Sequence, residues 1–244
     1  MILKIQLKKV FRNKRFLLFT IVFPVLWYLM LLYLSKSYEG VTKSLDQNTL
    51  FMIGCLIGIV GNSIVTFSKR VSNTKNFYTF QSKITNYSIW NFLLDYIITQ
   101  VILNLIIVVF ITFIGLVSNS LAMNYQLLML ILLTILIGIY LSVIGFLWGI
   151  MLDSKTVDAS ATPLMLVVGN LFVPYKQMLS GGFVNIIDII QRIFPLHYVM
   201  DISNEIINKQ SICQSLSMFI ITFIITLIPF LLIIWFKFIK KEVA

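Results

Sequence analysis

Charged residues are scarce in this 244-residue chain, 11% against the roughly one quarter of a globular protein, and the residues that build reactive centres are scarcer. One histidine, His197, and two cysteines, Cys55 and Cys213, are spread along the sequence. That excludes the paired histidines and CxxC spacings of metal sites and the cysteine density of a disulfide framework. GxxxxGK[ST], GxSxG and HExxH are all absent, so the chain carries no phosphate-binding loop, hydrolase nucleophile elbow or zinc-protease helix. His197, beside Tyr198, reads as a packed or hydrogen-bonded side chain. Room for a water-soluble domain is missing too. The longest interval between apolar blocks runs from Pro174 to Gln214 and contains hydrophobic runs of its own.

What the chain does have is apolar residue, 59% of it, at a mean hydropathy of +0.96. The apolar residues fall in six blocks, about 16–34, 49–67, 92–117, 127–152, 159–175 and 218–236. Each reaches the ~17–25 residues a helix needs to cross a bilayer. The fold class expected is an all-α integral membrane protein of six transmembrane helices, one domain over residues 1–244. Residues 1–15 crowd six cations, Lys4, Lys8, Lys9, Arg12, Lys14 and Arg15, around an apolar stripe of Leu3, Leu7, Val10 and Phe11. That pattern predicts an amphipathic helix lying in the headgroup plane. A cleaved signal peptide is the competing reading. It fits less well, because the basic region is long and Ser35-Lys36-Ser37-Tyr38 offers no A-x-A site.

The net charge of +10 does not point to nucleic acid, because the cations flank the apolar blocks rather than forming one soluble face. With the N-terminus inside, fourteen of the nineteen Lys and Arg residues fall on the cytoplasmic side. The positive-inside rule therefore places both ends of the chain in the cytoplasm. Block 159–175, with Pro163, Gly169 and Asn170, is the weakest of the six. Without it the C-terminal cations would lie outside.

Four features bear on function or on helix packing. Ser68 to Asn91 reads as the longest cytoplasmic loop, with Arg70 and Lys75 among Phe77, Tyr78, Phe80, Tyr87 and Trp90. Such a loop is either a docking surface for a partner or an interfacial helix with its aromatics at headgroup level. Gln100 and Asn104 stand at i, i+4 in the third block, and Asn170 lies in the fifth. Polar groups at that depth either tie helices together or line a path. Gly54 and Gly58 form a GxxxG for close helix approach in the second block. Finally, Phe183–Phe194 is mostly apolar, with Ile187 and Ile190 at its centre, preceded by Gly181-Gly182 and followed by Pro195. It predicts a re-entrant helical hairpin on the extracellular side, before the last span.

Four stretches carry a family resemblance. Leu7-Lys8-Lys9-Val10-Phe11-Arg12-Asn13-Lys14-Arg15-Phe16 with Phe23-Pro24-Val25, then Lys69-Arg70-Val71-Ser72-Asn73-Thr74 with Phe80-Gln81-Ser82-Lys83-Ile84-Thr85, occur in that order. They are followed by Pro163 with Asn170-Leu171-Phe172-Val173-Pro174, and by Ile190-Gln191-Arg192-Ile193-Phe194-Pro195-Leu196-His197-Tyr198 with Asp201. Together they resemble the membrane subunits of ABC-2 type (type V) ABC exporters over the whole chain. Asn73 and Lys83 stand where that family usually has Gly and Pro, and Asn204 where it often has Arg. The resemblance implies a permease, not itself an enzyme, that pairs with a second copy or a related permease and binds two cytoplasmic ABC ATPase subunits. ATP and Mg would bind in those partners and no cofactor in this chain. It also implies residence in the cell membrane among lipid, with the segment holding Arg70, Lys75, Phe77, Tyr78 and Phe80 coupling to the ATPase. The overwhelmingly apolar spans lean toward an amphipathic or lipid-soluble cargo, a drug, peptide or lipid. The alternative is a non-transporting immunity or assembly factor whose helices only bind a partner.

Overall fold

The computed structural model describes residues 8, 10–12, 18–37, 46–85, 88–178, 181–208 and 210–242. Every regular element among them is helical. A π-helical turn, Leu18–Val22, leads into α1, Phe23–Ser37. Then follow α2 (Gln47–Val60), a π-helical segment (Gly61–Thr66) and α3 (Phe67–Ile84), which together make one unbroken rod. The long helices α4 (Ile89–Val117) and α5 (Tyr125–Met151) come next, then α6 (Ser154–Asn170). Three short helices, α7 (Tyr175–Met178), α8 (Gly182–Gln191) and α9 (Pro195–Ile207), precede α10 (Cys213–Glu242).

The starts of the helices are set by side chains that accept from otherwise orphaned backbone amides. Asp46 accepts from Asn48, Ser88 from Asn91, Asn124 from Leu127, and Asp153 from Lys155 and Thr156. Only Leu152 and Asp153 separate α5 from α6, so those two helices are tight neighbours in the chain.

Four stretches are long and apolar enough to cross a membrane: Gln47–Tyr78, Trp90–Val117, Tyr125–Met151 and Cys213–Phe236. Thr20–Lys36 is apolar but shorter. The amphipathic helix expected over 1–15 lies largely outside the described residues; of it, Lys8, Val10, Phe11 and Arg12 are helical, with Val10 buried and the other three exposed.

Two clusters make the interior. The larger packs Tyr28 and Leu32 of α1 against Phe51, Leu56 and Ile59 of α2, Ile107 and Ile111 of α4, Leu133 and Ile137 of α5, and Leu196 and Ile202 of α9. The smaller, toward the other end of the bundle, joins Phe67, Val71 and Tyr78 to Phe92, Tyr96, Phe146 and Ile234. Close approach depends on glycine. A Cβ on Gly145 would collide with the Ser63 carbonyl oxygen, and one on Gly149 with that of Ser68, so α5 lies directly against the π-helical segment and the start of α3. The Gly54/Gly58 pair serves α1 in the same way, since their added Cβ atoms would meet Tyr28 at 3.0 Å and Pro24 at 2.8 Å.

Two boundaries differ from the sequence reading. The segment expected as a loop from Ser68 is helix as far as Ile84, because its polar side chains find partners on neighbouring helices. Lys69 pairs with Asp158 of α6 at 2.7 Å, and Ser72 and Lys75 donate to the Leu152 carbonyl at 2.9 and 2.5 Å. The fifth block starts earlier than expected and ends at Asn170, which places that residue at an exposed helix terminus rather than deep in a span. Its Nδ2 donates to the Leu166 carbonyl at 2.7 Å, and its Oδ1 accepts from the Tyr175 hydroxyl.

Candidate functional site

The π-helical segment sits where α2 would otherwise run straight into α3, and its wider turn presents Asn62, Ser63 and Thr66 to the bundle. Gln100 and Asn104, both fully buried, come from α4 to meet them. Asn62 Nδ2 donates to Asn104 Oδ1 at 2.9 Å, and Thr66 Oγ1 donates to Asn62 Oδ1 at 2.9 Å. Asn104 Nδ2 lies 3.3 Å from Ser63 Oγ and 3.4 Å from the Gly138 carbonyl, which reaches it because Gly138 has no side chain. Gln100 Nε2 adds a contact to Asn104 Oδ1 at 3.4 Å. These groups satisfy one another out of contact with solvent, so Gln100 and Asn104 bind three helices together.

Arg70 extends this network toward the charged end of the bundle. Its Nη2 donates to Gln100 Oε1 at 2.7 Å, and its guanidinium lies over the rings of Phe67 and Tyr96, 5.1 and 5.9 Å from their centroids. The ring faces and the amide oxygen stand in for water around the charge. Its Nε and Nη1 are buried without an acceptor among the described residues. Arg70 is thus an interior residue, and so in large part is Lys75, which bonds the end of α5.

The aromatics of α3 divide sharply. Tyr78 is 4% exposed and stacks on Phe92 with centroids 4.7 Å apart, whereas Phe77 and Phe80 are 65% and 64% exposed. Ile84, not singled out from the sequence, is exposed on the same stripe. The signal for it is the spacing: residues 77, 80 and 84 share one face once the segment is helical, and Tyr78 then turns to another.

At the opposite end, Gly181, at φ +151°, opens α8 in a backbone conformation that glycine alone adopts readily. Gly182 begins the helix in open space, and Pro195 takes the first position of α9, where its missing N–H is no loss. Between them α8 is inverted. It buries Val184, Asp188 and Gln191 and exposes Phe183, Ile186, Ile189 and Ile190, with Ile187 half-buried. Gln191 Nε2 donates to the Asn170 and Val173 carbonyls at 2.6 and 3.0 Å, tying α8 to the end of α6. Asp188 gathers Lys176 at 2.7 Å and Arg192 at 3.0 Å, with His197 at 3.9 Å and Asp201 in turn 3.2 Å from His197. Burial alone would raise the Asp188 carboxyl. The hydrogen bond from Lys176 and the charges of Arg192, Lys176 and His197 outweigh it and hold the group below the usual carboxylate range.

Against known families, the sequence pattern of the ABC-2 type transporter membrane domain matches residues 1–208. The chain belongs to the ABC-2 type transporter family. Among curated proteins and solved structures, nothing matches it. This ABC-2 permease is a multi-pass membrane protein, and its family works with ABC ATPase subunits and often as dimers. The match spans both candidate regions, the aromatic end of α3 and the α7–α9 cap. Among the described residues no group of three His, Cys, Asp or Glu side chains is placed to hold a metal.

Proposed function

We propose that this permease is the membrane subunit of an ATP-driven exporter. It crosses the bilayer six times, with α1 and α6 completing the four longer spans. Asp158 beside Lys69, Met165 beside Gly61, and Asn170 beside Gln191 support a crossing by α6 antiparallel to the α2–α3 rod. The end carrying Phe77, Phe80 and Lys155 faces the cytoplasm, in keeping with the excess of cations there.

The observation that carries the reading is the exposed Phe77–Phe80–Ile84 stripe at the tip of a rigid helix. We read these large apolar side chains as docking anchors because they project from a segment that also carries Lys69, Arg70, Lys75 and Lys83, where lipid alone would not cover them. Two ATPase subunits, holding ATP and Mg²⁺, engage this stripe in a permease dimer. Their closure moves α3, and the Arg70–Gln100 bond carries that movement to the amide network at mid-bundle. The second copy meets the outward face of α6, where Ala159, Thr162 and Pro163 let a helix approach closely and Leu166 and Val167 supply exposed apolar contact. The outer face of α10 is instead uniformly large and apolar: its most hydrophobic stretch is only 11% buried, as a lipid-facing helix should be. The cargo is amphipathic or lipid-soluble, in keeping with overwhelmingly apolar spans whose central amides, Asn62, Gln100 and Asn104, bond one another.

Copurification tests the reading. The tagged permease should retain an ABC ATPase, and vanadate-sensitive ATP hydrolysis should need both. Capture without hydrolysis, or no capture, would return the chain to a non-transporting role.

A further inference from the structure

One side of α3 forms a ladder with α4. Arg70 Nη2 donates to Gln100 Oε1 at 2.7 Å, the Tyr96 hydroxyl donates to Thr74 Oγ1 at 2.7 Å, and Tyr78 stacks on Phe92 with centroids 4.7 Å apart. The rungs are four residues apart on both helices, 70, 74 and 78 against 100, 96 and 92, so each set lies on one helical face. The residue before each rung on α3 repeats its chemistry. Lys69 is a second cation, Asn73 a second hydrogen-bonding side chain and Phe77 a second aromatic. α3 therefore carries the same ladder twice, offset by one residue.

The π-helical segment above α3 can supply that offset. In it, Phe67 N–H donates to the Asn62 carbonyl, five residues back, and Thr66 Oγ1 lies 2.5 Å from the same oxygen. The Ser63 carbonyl, which an α-helix would give to Phe67, lies instead against Gly145. A π-helical turn of this kind holds about one residue more than an α-helical one. If Phe67 N–H returns to Ser63, the surplus residue leaves the segment and α3 turns by about 100°. Every site on α3 then passes to the preceding residue. Lys69, Asn73 and Phe77 reach Gln100, Tyr96 and Phe92, and the exposed sites of Phe77, Phe80 and Ile84 pass to the polar Asn76, Thr79 and Lys83. The turn has a cost, because the fully buried site of Val71 would receive Arg70 and the Leu152 carbonyl would lose Ser72. The register seen here is accordingly the ground state.

We propose that the π-helical segment is a register joint that presents or withdraws the apolar stripe of α3. In the present register the stripe is exposed; in the other, Phe77 packs on Phe92 and a polar face takes its place. As a control on ATPase docking the joint rests on the permease reading, whereas as a property of the helix it does not.

Disulfide formation in the full-length permease, purified in mild detergent with Cys55→Ala and Cys213→Ser, reads the register without any ATPase. Tyr78→Cys with Phe92→Cys reports the register seen here, and Phe77→Cys with Phe92→Cys reports the other. Both pairs should crosslink, the second slowly. Thr66→Val removes the hydroxyl that favours the π form and should speed the 77–92 pair by about threefold to tenfold, the effect of one hydrogen bond. Arg70→Val relieves the cost at the Val71 site and should speed it as well. Deletion of Val65 takes out the surplus residue without turning α3, so the 77–92 crosslink should vanish while 78–92 persists. Gel filtration and the 78–92 crosslink establish that each variant is folded, and if the deletion is not, the two substitutions decide. A 77–92 crosslink that neither substitution speeds, that rises only together with 78–92, or that survives the Val65 deletion overturns the proposal. A permease that exchanges registers but captures no ATPase would refute the docking reading and leave the joint standing; capture without exchange would do the reverse.

Discussion

Replacing Asn104 by Leu preserves size while deleting the centre of the buried amide network. Its Oδ1 accepts from Asn62 at 2.9 Å and from Gln100 at 3.4 Å, and its Nδ2 reaches Ser63 and the Gly138 carbonyl at 3.3 and 3.4 Å. Bonds of this kind inside membrane bundles average about 0.6 kcal/mol, and the two contacts near 2.9–3.3 Å carry most of the total. A larger contribution comes from what is left behind. Asn62 Nδ2 is stranded in the interior, at about 1–3 kcal/mol for a buried donor without an acceptor. The branched Leu also presses on Gly138, whose added Cβ would lie 2.8 Å from the present Asn104 amide nitrogen. The sum is about 2–4 kcal/mol of lost stability. Asn170→Leu is the control, because Asn170 is exposed and its loss should stay within about 0.5 kcal/mol. Unfolding in mixed detergent micelles with increasing dodecyl sulfate, followed by tryptophan fluorescence, reads both. An Asn104→Leu variant as stable as wild type, or an Asn170→Leu variant equally damaged, would refute the idea that the network binds the bundle.

Tyr78→Ala should unfold the permease by about 3 kcal/mol through loss of its buried stack on Phe92, whereas Phe77→Ala with Phe80→Ala should leave the melting profile unchanged and abolish ATPase capture. Gly149→Ala should lower the yield of folded protein, because its methyl would meet the Ser68 carbonyl and force α5 away from α3; a fully folded variant would contradict that packing. Asp188→Asn leaves Lys176 and Arg192 facing each other, and should raise proteolysis of the 181–207 cap severalfold at pH 7, after discounting for the exposure of both cations. Because the folded Asp188 carboxyl titrates below its unfolded range, its contribution is complete above about pH 4 and disappears only at lower pH. Wild type should therefore stay protected at pH 5, and loss of protection there would contradict the role of the Asp188 ion pairs with Lys176 and Arg192 in holding the cap.

The long apolar blocks were legible as helices because uninterrupted hydrocarbon leaves a backbone no other way to satisfy itself. GxxxG in α2 and the Gly181–Pro195 brackets were equally readable, since each reports a local backbone or packing constraint. The polar continuation of α2 into α3 was not. Ser68, Lys69, Arg70 and Ser72 end the hydropathy signal, and only their partners on α4, α5 and α6 show why the helix persists. Tyr78 could not be told from Phe77 by composition. The difference is a rotation of one residue about the helix axis, which matters only once Phe92 is alongside. Asn170 was misjudged for depth because the fifth helix gains its first turn from the polar residues Ser154–Thr156, capped by Asp153, rather than from the apolar block.

The most direct test of the coupling role is photocrosslinking in intact cells, with a photoreactive phenylalanine analogue placed at one position at a time. From positions 77 and 80 the permease should crosslink to an ABC ATPase; from position 78, which is buried, and from position 123, exposed at the opposite end, it should not. Failure to reach an ATPase from 77 and 80, or ATPase adducts from 123, would contradict the assignment of the α3 tip as the surface through which ATP hydrolysis drives this transporter.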